Sequence, residues 1–472
     1  MTEGQIAALG PAFTSFLRDF RPCFVTGNTF KHLGTYCRGL LSDLARKSVE
    51  PIALGAGCAV RTLQEFLTHH AWDEDRMRDE AQRRVARDHL PPPGGRPADG
   101  VGTVGWVDET SAAKKGDKTP GVQRQYCGAS GKVDNCVVTV HLACRCGDFM
   151  AMLDGDLFLP EKTWGEDRDR CRAAGIPDSV VYRSKWEVAL GQVGRALGNG
   201  VRFDWLTFDE WYGGKPGFLS GLEGLGLLYA CEVPKNLPCF PTRPRYKSLQ
   251  RPFSPKRADN AAAFGKPFKG KPWKRVRLAR KTLPPQVWEV RAAQVYLSRD
   301  GRPTDRTYWL IVARSTHTGE VKYFVSNAPP RTALLTLMKV AFTRAGVEHA
   351  FRLAKTEVGF AHYEGRNYRG LMRHMTLCQL VLLFVAEQTT RLRAERGEKR
   401  EGRSRPRPGG TDDGADGTRP QRPVPPADGN PMRAREVGAS RLRHLLPPAA
   451  EQGRQAVQAV SPPVLAEAPV AL

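Results

Sequence analysis

Ten residues decide the first question about this chain. The stretch "PPPGGRPADG" at 91–100 holds four prolines and three glycines. Proline has no backbone N–H to give to a helix or a strand ladder, and its ring fixes φ, so no regular element crosses this stretch. The hydrophobic period also changes there. Before it, "FTSFLRDF", "TFKHLGTYCRGLLSDLA", "CAVRTLQEFLTHHAW" and "EDRMRDEAQRRVARDHL" place apolar residues three and four apart, the stripe of a packed helix. After it, "VGTVGWVD" and "CVVTVHL" are β-branched runs. An all-helical or all-β chain is thereby excluded. The reading is an α/β protein with an N-terminal helical domain over residues 1–90, suited to binding DNA or packing on its neighbour, and a mixed domain from residue 101.

Within the mixed domain, acids collect where strands end. Residues 104–107 predict a short strand that stops at Asp108 and Glu109. "RFDWLTFDEW" predicts another that delivers Asp209 and Glu210. Between them the pattern gives antiparallel strands at 136–142 and 149–159 and a helix at 185–197. A short helix at 217–224 and the strand "LLYACEV" follow. "AQVYLS", "TYWLIVAR" and "VKYFVSNA" predict three more strands, and one long helical stretch begins near residue 332. From about residue 391 to 472 the composition turns to Arg, Pro, Gly and Asp, which predicts a disordered tail.

The formal charge of +23 points to an anionic partner. Its distribution says more than its sum. Residues 243–281 hold fourteen Lys or Arg against the single acid Asp259, with Tyr246, Phe253, Phe264, Phe268 and Trp273 interleaved. Cations with aromatics between them suit a phosphate backbone and unstacked bases, so Lys269, Lys271, Lys274 and Arg275 are candidate DNA contacts. Trp273 and Trp288 are candidate stacking residues, with core packing the stronger expectation for Trp288. The opening residues contain no secretory signal pattern, and no run reaches the ~18 apolar residues of a membrane span. The expected location is the cytoplasm, on the nucleoid when DNA is bound, with the eleven cysteines as thiols. His141, Cys144 and Cys146 form the one cluster with metal-ligand character. Zinc sites usually bring a second ligand pair, and none is evident.

Cleavage of a phosphodiester by two metal ions needs carboxylates from separate segments converging on hard cations. Asp108 and Asp209 at strand ends meet that need. A third acid, Glu348, lies in the helical stretch after residue 331 with Arg344 four before it and Lys355 seven after it, all on one helical face. An ordinary amphipathic helix with i,i+4 ion pairs has the same spacing.

These residues carry a resemblance. "VDETSAAKKGDKTPGVQRQYCGASGKVDNCVVTVHL", "TFDEWYGGKPGFLSGLEGLGLLYACEV" and "RAGVEHAFRLAKTEVGFAHYEGRNYRG" resemble, in order, the three catalytic blocks of bacterial insertion-sequence transposases of the DDE type. They are most similar to the insertion-sequence family 701 branch, and the likeness covers roughly residues 12–390. It implies a ribonuclease H-like catalytic domain over 101–390 with a β-rich insertion at about 235–325. It makes Asp108, Asp209 and Glu348 the catalytic, metal-binding triad for two Mg²⁺ ions, with Mn²⁺ as a substitute. Arg344 and Lys355 become DNA contacts, and Lys114 and Lys115, in the loop after Asp108, offset the charge of the cut strand. The implied partners are double-stranded DNA, as terminal inverted repeats and target, and a second copy of the chain. The family's tyrosine three residues before the Arg is replaced by Ala341. Glu109, Glu210, Glu357 and Glu364 are further acids read as supporting residues. An inactive DNA-binding relic and a non-specific nuclease remain the competing readings.

Overall fold

The computed structural model describes residues 3–91, 100–244, 254–278 and 285–404. The tail from residue 405, the aromatics Tyr246 and Phe253 and the expectations placed on them lie outside these residues. Six helices open the chain: α1 (Glu3–Ala7), α2 (Leu9–Arg18), α3 (Gly27–Leu41), α4 (Val49–Gly55), α5 (Val60–Thr68) and α6 (Glu74–Asp88). Side chains start two of them. Thr26 accepts from the Thr29 N–H at 3.2 Å before α3, and Asp73 accepts from the Arg76 N–H at 2.8 Å before α6.

The first sheet contains β1 (Thr103–Ala113), β2 (Gln123–Cys127), β3 (Lys132–Cys146) and β4 (Phe149–Leu157). After α7 (Arg168–Ala173) and α8 (Lys185–Gly198) it is joined by β5 (Trp205–Phe208). β3 is long enough to take β2 and then β4 along one side, while the other side pairs with β1 from Ala113↔Cys136 to Thr103↔Cys146. β5 lies parallel to β1 on the far side, with Val107 opposite Phe208. The short helices α9 (Glu210–Gly213) and α10 (Pro216–Gly224) lead to β6 (Ala230–Val233). A parallel bridge from Leu206 to Tyr229 sets the approach to β6 beside β5.

A second, antiparallel sheet follows, built from β7 (Pro238–Phe240), β8 (Lys256–Arg257) and, after α11 (Ala258–Phe264), β9 (Lys274–Leu278), β10 (Gln286–Arg299), β11 (Arg302–Pro303), β12 (Tyr308–Ser315) and β13 (Val321–Ser326). Its order is β6-β13-β12-β10-β7-β8, and β6 joins it to the first sheet. The β10–β11 turn is "DG", with φ at 48° for Asp300 and 73° for Gly301, the left-handed pair that a tight hairpin requires.

The chain then forms α12 (Leu334–Phe342), α13 (Ala345–Glu357) and α14 (Tyr368–Ser404). The long helix expected from residue 332 is therefore two helices, and α14 runs past the expected boundary at residue 390. A long-range contact stands at the break. The Trp106 indole N–H on β1 donates to Thr343 Oγ1 at 3.0 Å, and a Cβ on Gly346 would lie 2.4 Å from the same indole. α13 thus sits directly on β1.

The N-terminal helices pack on the rest of the chain: one continuous hydrophobic core runs from α2 through both sheets to α14. Phe13 and Phe16 pack against Phe384 with tilted rings, centroids 4.7 and 5.4 Å away. Arg373 of α14, only 1 % exposed, donates to the carbonyls of His70 and Trp72. Against the expectation of no such run, Tyr368–Arg396 is long and apolar enough to cross a membrane. In the fold 72 % of that window is buried, as befits the central helix of a core. Buried cysteines such as Cys37, Cys144 and Cys378 are free thiols.

Candidate active site

Asp108 was expected at the end of a four-residue strand. β1 instead continues to Ala113, because β3 pairs with it along its full length, so Asp108 sits in mid-strand and is 8 % exposed. Asp209 stands where expected, directly after β5, and caps α9. Its Oδ1 accepts the N–H groups of Trp211 at 3.1 Å and Tyr212 at 3.2 Å. Since Val107 faces Phe208 across parallel strands, Asp108 and Asp209 follow at the same level on neighbours. Two carboxylates side by side repel. Burial first, and then Asp209, push the Asp108 carboxyl up to about 7 against the pull of Arg344.

Glu348 lies in the first turn of α13, its side chain 66 % exposed. Arg344, at the break between α12 and α13, is wedged between the acids. One guanidinium nitrogen is 3.1 Å from Asp108 Oδ2 and the other 3.3 Å from Glu348 Oε1. Arg344 was expected as a DNA contact; here its guanidinium bridges Asp108 and Glu348. A cleft of about 550 Å³ opens beside them, with Tyr126, Asp209, Glu348 and Lys355 on its walls. Burial lowers the pKa of Lys355, which faces this cleft as the helical spacing predicted.

The other expected contacts divide. Lys115, Lys269, Lys274 and Arg275 are exposed, and so is Lys271, whose ammonium also donates to the Ala292 carbonyl at 3.1 Å. Lys114 is different. Its ammonium donates to the carbonyls of Ala361 and Tyr363, and burial lowers its pKa to about 8, so it fastens the end of β1 to the loop after α13. Trp273 is 38 % exposed between the guanidiniums of Arg291 and Arg314, each 5.0 Å from its ring. Trp288 is buried against Phe342, as expected of a core residue.

Of the further acids, Glu109 is held by Lys185 at 2.6 Å and lies 3.5 Å from the buried Tyr212 hydroxyl. Burial, then Glu232 and Asp209, raise the pKa of Glu210. Glu357 accepts from Thr356, and Glu364 pairs with Arg46. His141 is bound to Thr139 at 2.7 Å and enclosed by Phe351 and Phe360, packing that leaves it in the core. Three residues near the acids were missed: Lys185, Glu232, which pairs with Lys322 at 2.8 Å, and Tyr126. Lys185 had a usable signal, since Ser184 and Glu187 form a capping box that fixes it at the first turn of α8. Glu232 had none, because only strand pairing brings β6 beside β5.

Divalent metal is the group the carboxylates suggest. Among the described residues no three His, Cys, Asp or Glu side chains stand close enough together to hold an ion as they are. The donor set still fits a hard cation. Asp108 and Asp209 repel each other, and among the described residues the guanidinium that binds Asp108 also holds Glu348, so the site is short of positive charge.

Two comparisons with known proteins bear on this geometry. A relative from Microchaete diplosiphon, described as a probable transposase for insertion sequence element IS701, is 28 % identical over 351 residues, 72 % of this chain and 77 % of the relative. A family model described as DDE superfamily endonuclease matches residues 19–291, a stretch that includes Asp108 and Asp209 and ends before Glu348. That match spans more than half of the chain, and the protein belongs to the DDE superfamily endonuclease family.

Proposed function

We propose that the chain is the transposase of an insertion sequence, which cuts DNA at the ends of its element and joins the freed 3′ ends to target DNA. The observation that carries this reading is the pair Asp108 and Asp209 on adjacent parallel strands, tied through Arg344 to Glu348 on a third element beside an open cleft. The strand order supports naming the domain ribonuclease H-like. β4-β3-β1 are antiparallel neighbours, and β5 continues the sheet in parallel, with the approach to β6 beside it. The likeness to a relative described as a probable transposase supports the biological setting.

In this reading Asp108, Asp209 and Glu348 hold two Mg²⁺ ions, for which Mn²⁺ substitutes. When bound, such ions neutralise the phosphodiester and make water a better nucleophile. The chain's own groups do the rest. Asp209 is oriented by two backbone N–H groups of α9, so its second oxygen faces the site. Arg344 exchanges its carboxylates for a phosphate oxygen when DNA arrives. Lys355 and the exposed Lys115, Lys269, Lys271, Lys274 and Arg275 bind the backbone of the element end and the target. Lys114 keeps the basic loop in place from behind. Two copies act together, since two ends are cut and joined.

The test is cleavage of linear DNA carrying the sequences that flank this gene, in Mg²⁺, by the native protein and by Asp108→Ala. End-specific nicking lost in the variant supports the proposal. Cutting without preference for those ends makes the protein a general nuclease, and binding without metal-dependent cutting makes it an inactive DNA-binding protein; either result overturns it.

A further inference from the structure

Large aromatic side chains seldom stay on the surface without a reason when they are placed beside a cleft. Tyr126 is 64 % exposed and lies on the wall of the cleft that also holds Asp209 and Glu348. It belongs to β2, where exposure alternates: Arg124 and Tyr126 are exposed, while Gln123, Gln125 and Cys127 are more buried. Arg124 thus shares the outer face with Tyr126, about 7 Å along the strand. The residue opposite Tyr126 on β3 is Val133, itself 57 % exposed. Directly opposed residues project to the same side of a sheet, so a phenol ring and a valine stand together as one apolar step with no protein over it.

This step is held rigidly. The hairpin turn closes with the N–H groups of Ser130 and Gly131 on the Cys127 carbonyl at 3.0 and 2.9 Å. Ser111 of β1, three residues past Asp108, accepts from the Ala129 N–H at 3.2 Å. The platform and the carboxylate strand therefore move as one body. Cations surround it, with Arg124 and Lys132 exposed on the hairpin and Lys355 across the cleft. The fold spends no other contact on the Tyr126 hydroxyl among the described residues, so the ring has no internal role to explain its position.

We infer that Tyr126, backed by Val133, stacks on a nucleobase next to the phosphodiester held at Asp108 and Asp209. The ring can offer its face to a base only if that base has left the duplex stack, so the strand enters the cleft with one nucleotide unpaired. Arg124 and Lys355 then bind the phosphates on either side. An aromatic face is tolerant of base identity, so this contact positions the strand and leaves sequence reading to other surfaces. The inference rests on the strand-cutting function proposed above.

The experiment measures binding of end-bearing linear DNA by fluorescence anisotropy without divalent metal, for native protein, Tyr126→Ala, Tyr126→Phe and Val133→Ser. Tyr126→Ala should weaken binding by roughly tenfold to a hundredfold, the range for loss of one stacked base, while Tyr126→Phe stays within about twofold. Val133→Ser should give a smaller loss. A scan of abasic sites across the terminal nucleotides supplies the readout that a merely structural role would not move. At one position the abasic lesion should weaken the native protein and leave Tyr126→Ala no weaker than before. Because Tyr126 is exposed, thermal melting of the variants should match the native protein.

Three results would overturn the inference. In one, Tyr126→Ala binds as the native protein does while the native protein cuts normally, which leaves the strand-cutting function intact. In another, the losses from Tyr126→Ala and from every abasic site simply add. In the third, the substitution changes the oligomeric state with DNA affinity unchanged, which makes the step a contact between copies. A native protein that neither binds nor cuts such DNA removes both proposals.

Discussion

Replacing Asp108 by Asn should stabilise the protein at pH 8 while it abolishes cleavage. Burial and Asp209 push the Asp108 carboxyl from an ordinary 3.8 up to about 7. The folded chain therefore binds this proton more tightly than the unfolded chain does. The stability that the proton contributes is complete below about pH 4 and is lost as pH rises through about 7. At 1.36 kcal/mol per unit, a rise of about three units costs the native protein about 4 kcal/mol by pH 8. Asn never ionises, so the variant keeps what the native protein loses. For a chain of this size that is a gain of about 4–8 °C in Tm over the native protein at pH 8; it grows from about pH 4, so about 3–5 °C of it develops between pH 5 and 8. The assay is a series of thermal melts of both proteins at pH 5, 6, 7 and 8 in EDTA. The quantity to read is the difference between them, in which every other titrating group cancels. Mg²⁺ at pH 8 should then narrow the gap by stabilising the native protein, which alone keeps both carboxylates. A difference that stays flat from pH 5 to 8, or shrinks as pH rises, would refute the reasoning that burial and the neighbouring Asp209 raise the Asp108 pKa.

Three further outcomes follow from particular contacts. Gly346→Ala places a Cβ 2.4 Å from the Trp106 ring, which should cost about 1–3 kcal/mol, shift α13 with Glu348 and lower cleavage more than tenfold; adding Trp106→Leu should recover part of both, as melts and nicking assays would show. Arg84 binds Glu387 of α14 at 2.6 and 2.9 Å and Asp19 at 2.6 Å, so Arg84→Ala leaves a 9 % exposed carboxylate with His89, 3.1 Å away, as its remaining partner and should cost about 1–3 kcal/mol in urea unfolding. Glu387→Gln in the same chain should restore much of that loss. Burial pushes His141 and His374 down to about 4, below their unfolded values near 6.5, so the stability they carry is present above pH 6.5 and is lost as pH falls toward 4. Tm should therefore drop steeply over that window, and His374→Gln should flatten the slope.

Much of the site could be read before the fold was known, and the exceptions share a cause. Asp209 was placed correctly because the signal for it is local: an apolar run, an acid and a helix start. Asp108 was identified but set at a strand end, because the polar residues that follow hide a strand held by pairing with β3. Arg344 and Glu348 were put on one helical face, and the spacing was right. What the spacing could not give was the break after Phe342, which comes from Trp106 and Gly346 meeting across 240 positions of chain. Lys114 looked like a DNA contact because its neighbours are basic, yet burial turns it into a fastening between two loops.

The sequence by itself determined the class of the protein and the kind of chemistry it supports. Period, prolines and charge run along the chain, and each acts on its neighbours within a few residues. The helical start, the mixed domain, the basic insertion and the three acids all follow from that. The tertiary structure alone decided which acids stand together and what faces them. Parallel pairing of β1 with β5 sets one aspartate beside another and raises the pKa of the buried one. The close seat of α13 on β1 wedges Arg344 between two carboxylates. The length of α14 gathers the N-terminal helices into the same core as the sheet. Each of these is a contact between residues far apart in sequence, and its energy depends on distances that only the folded chain defines.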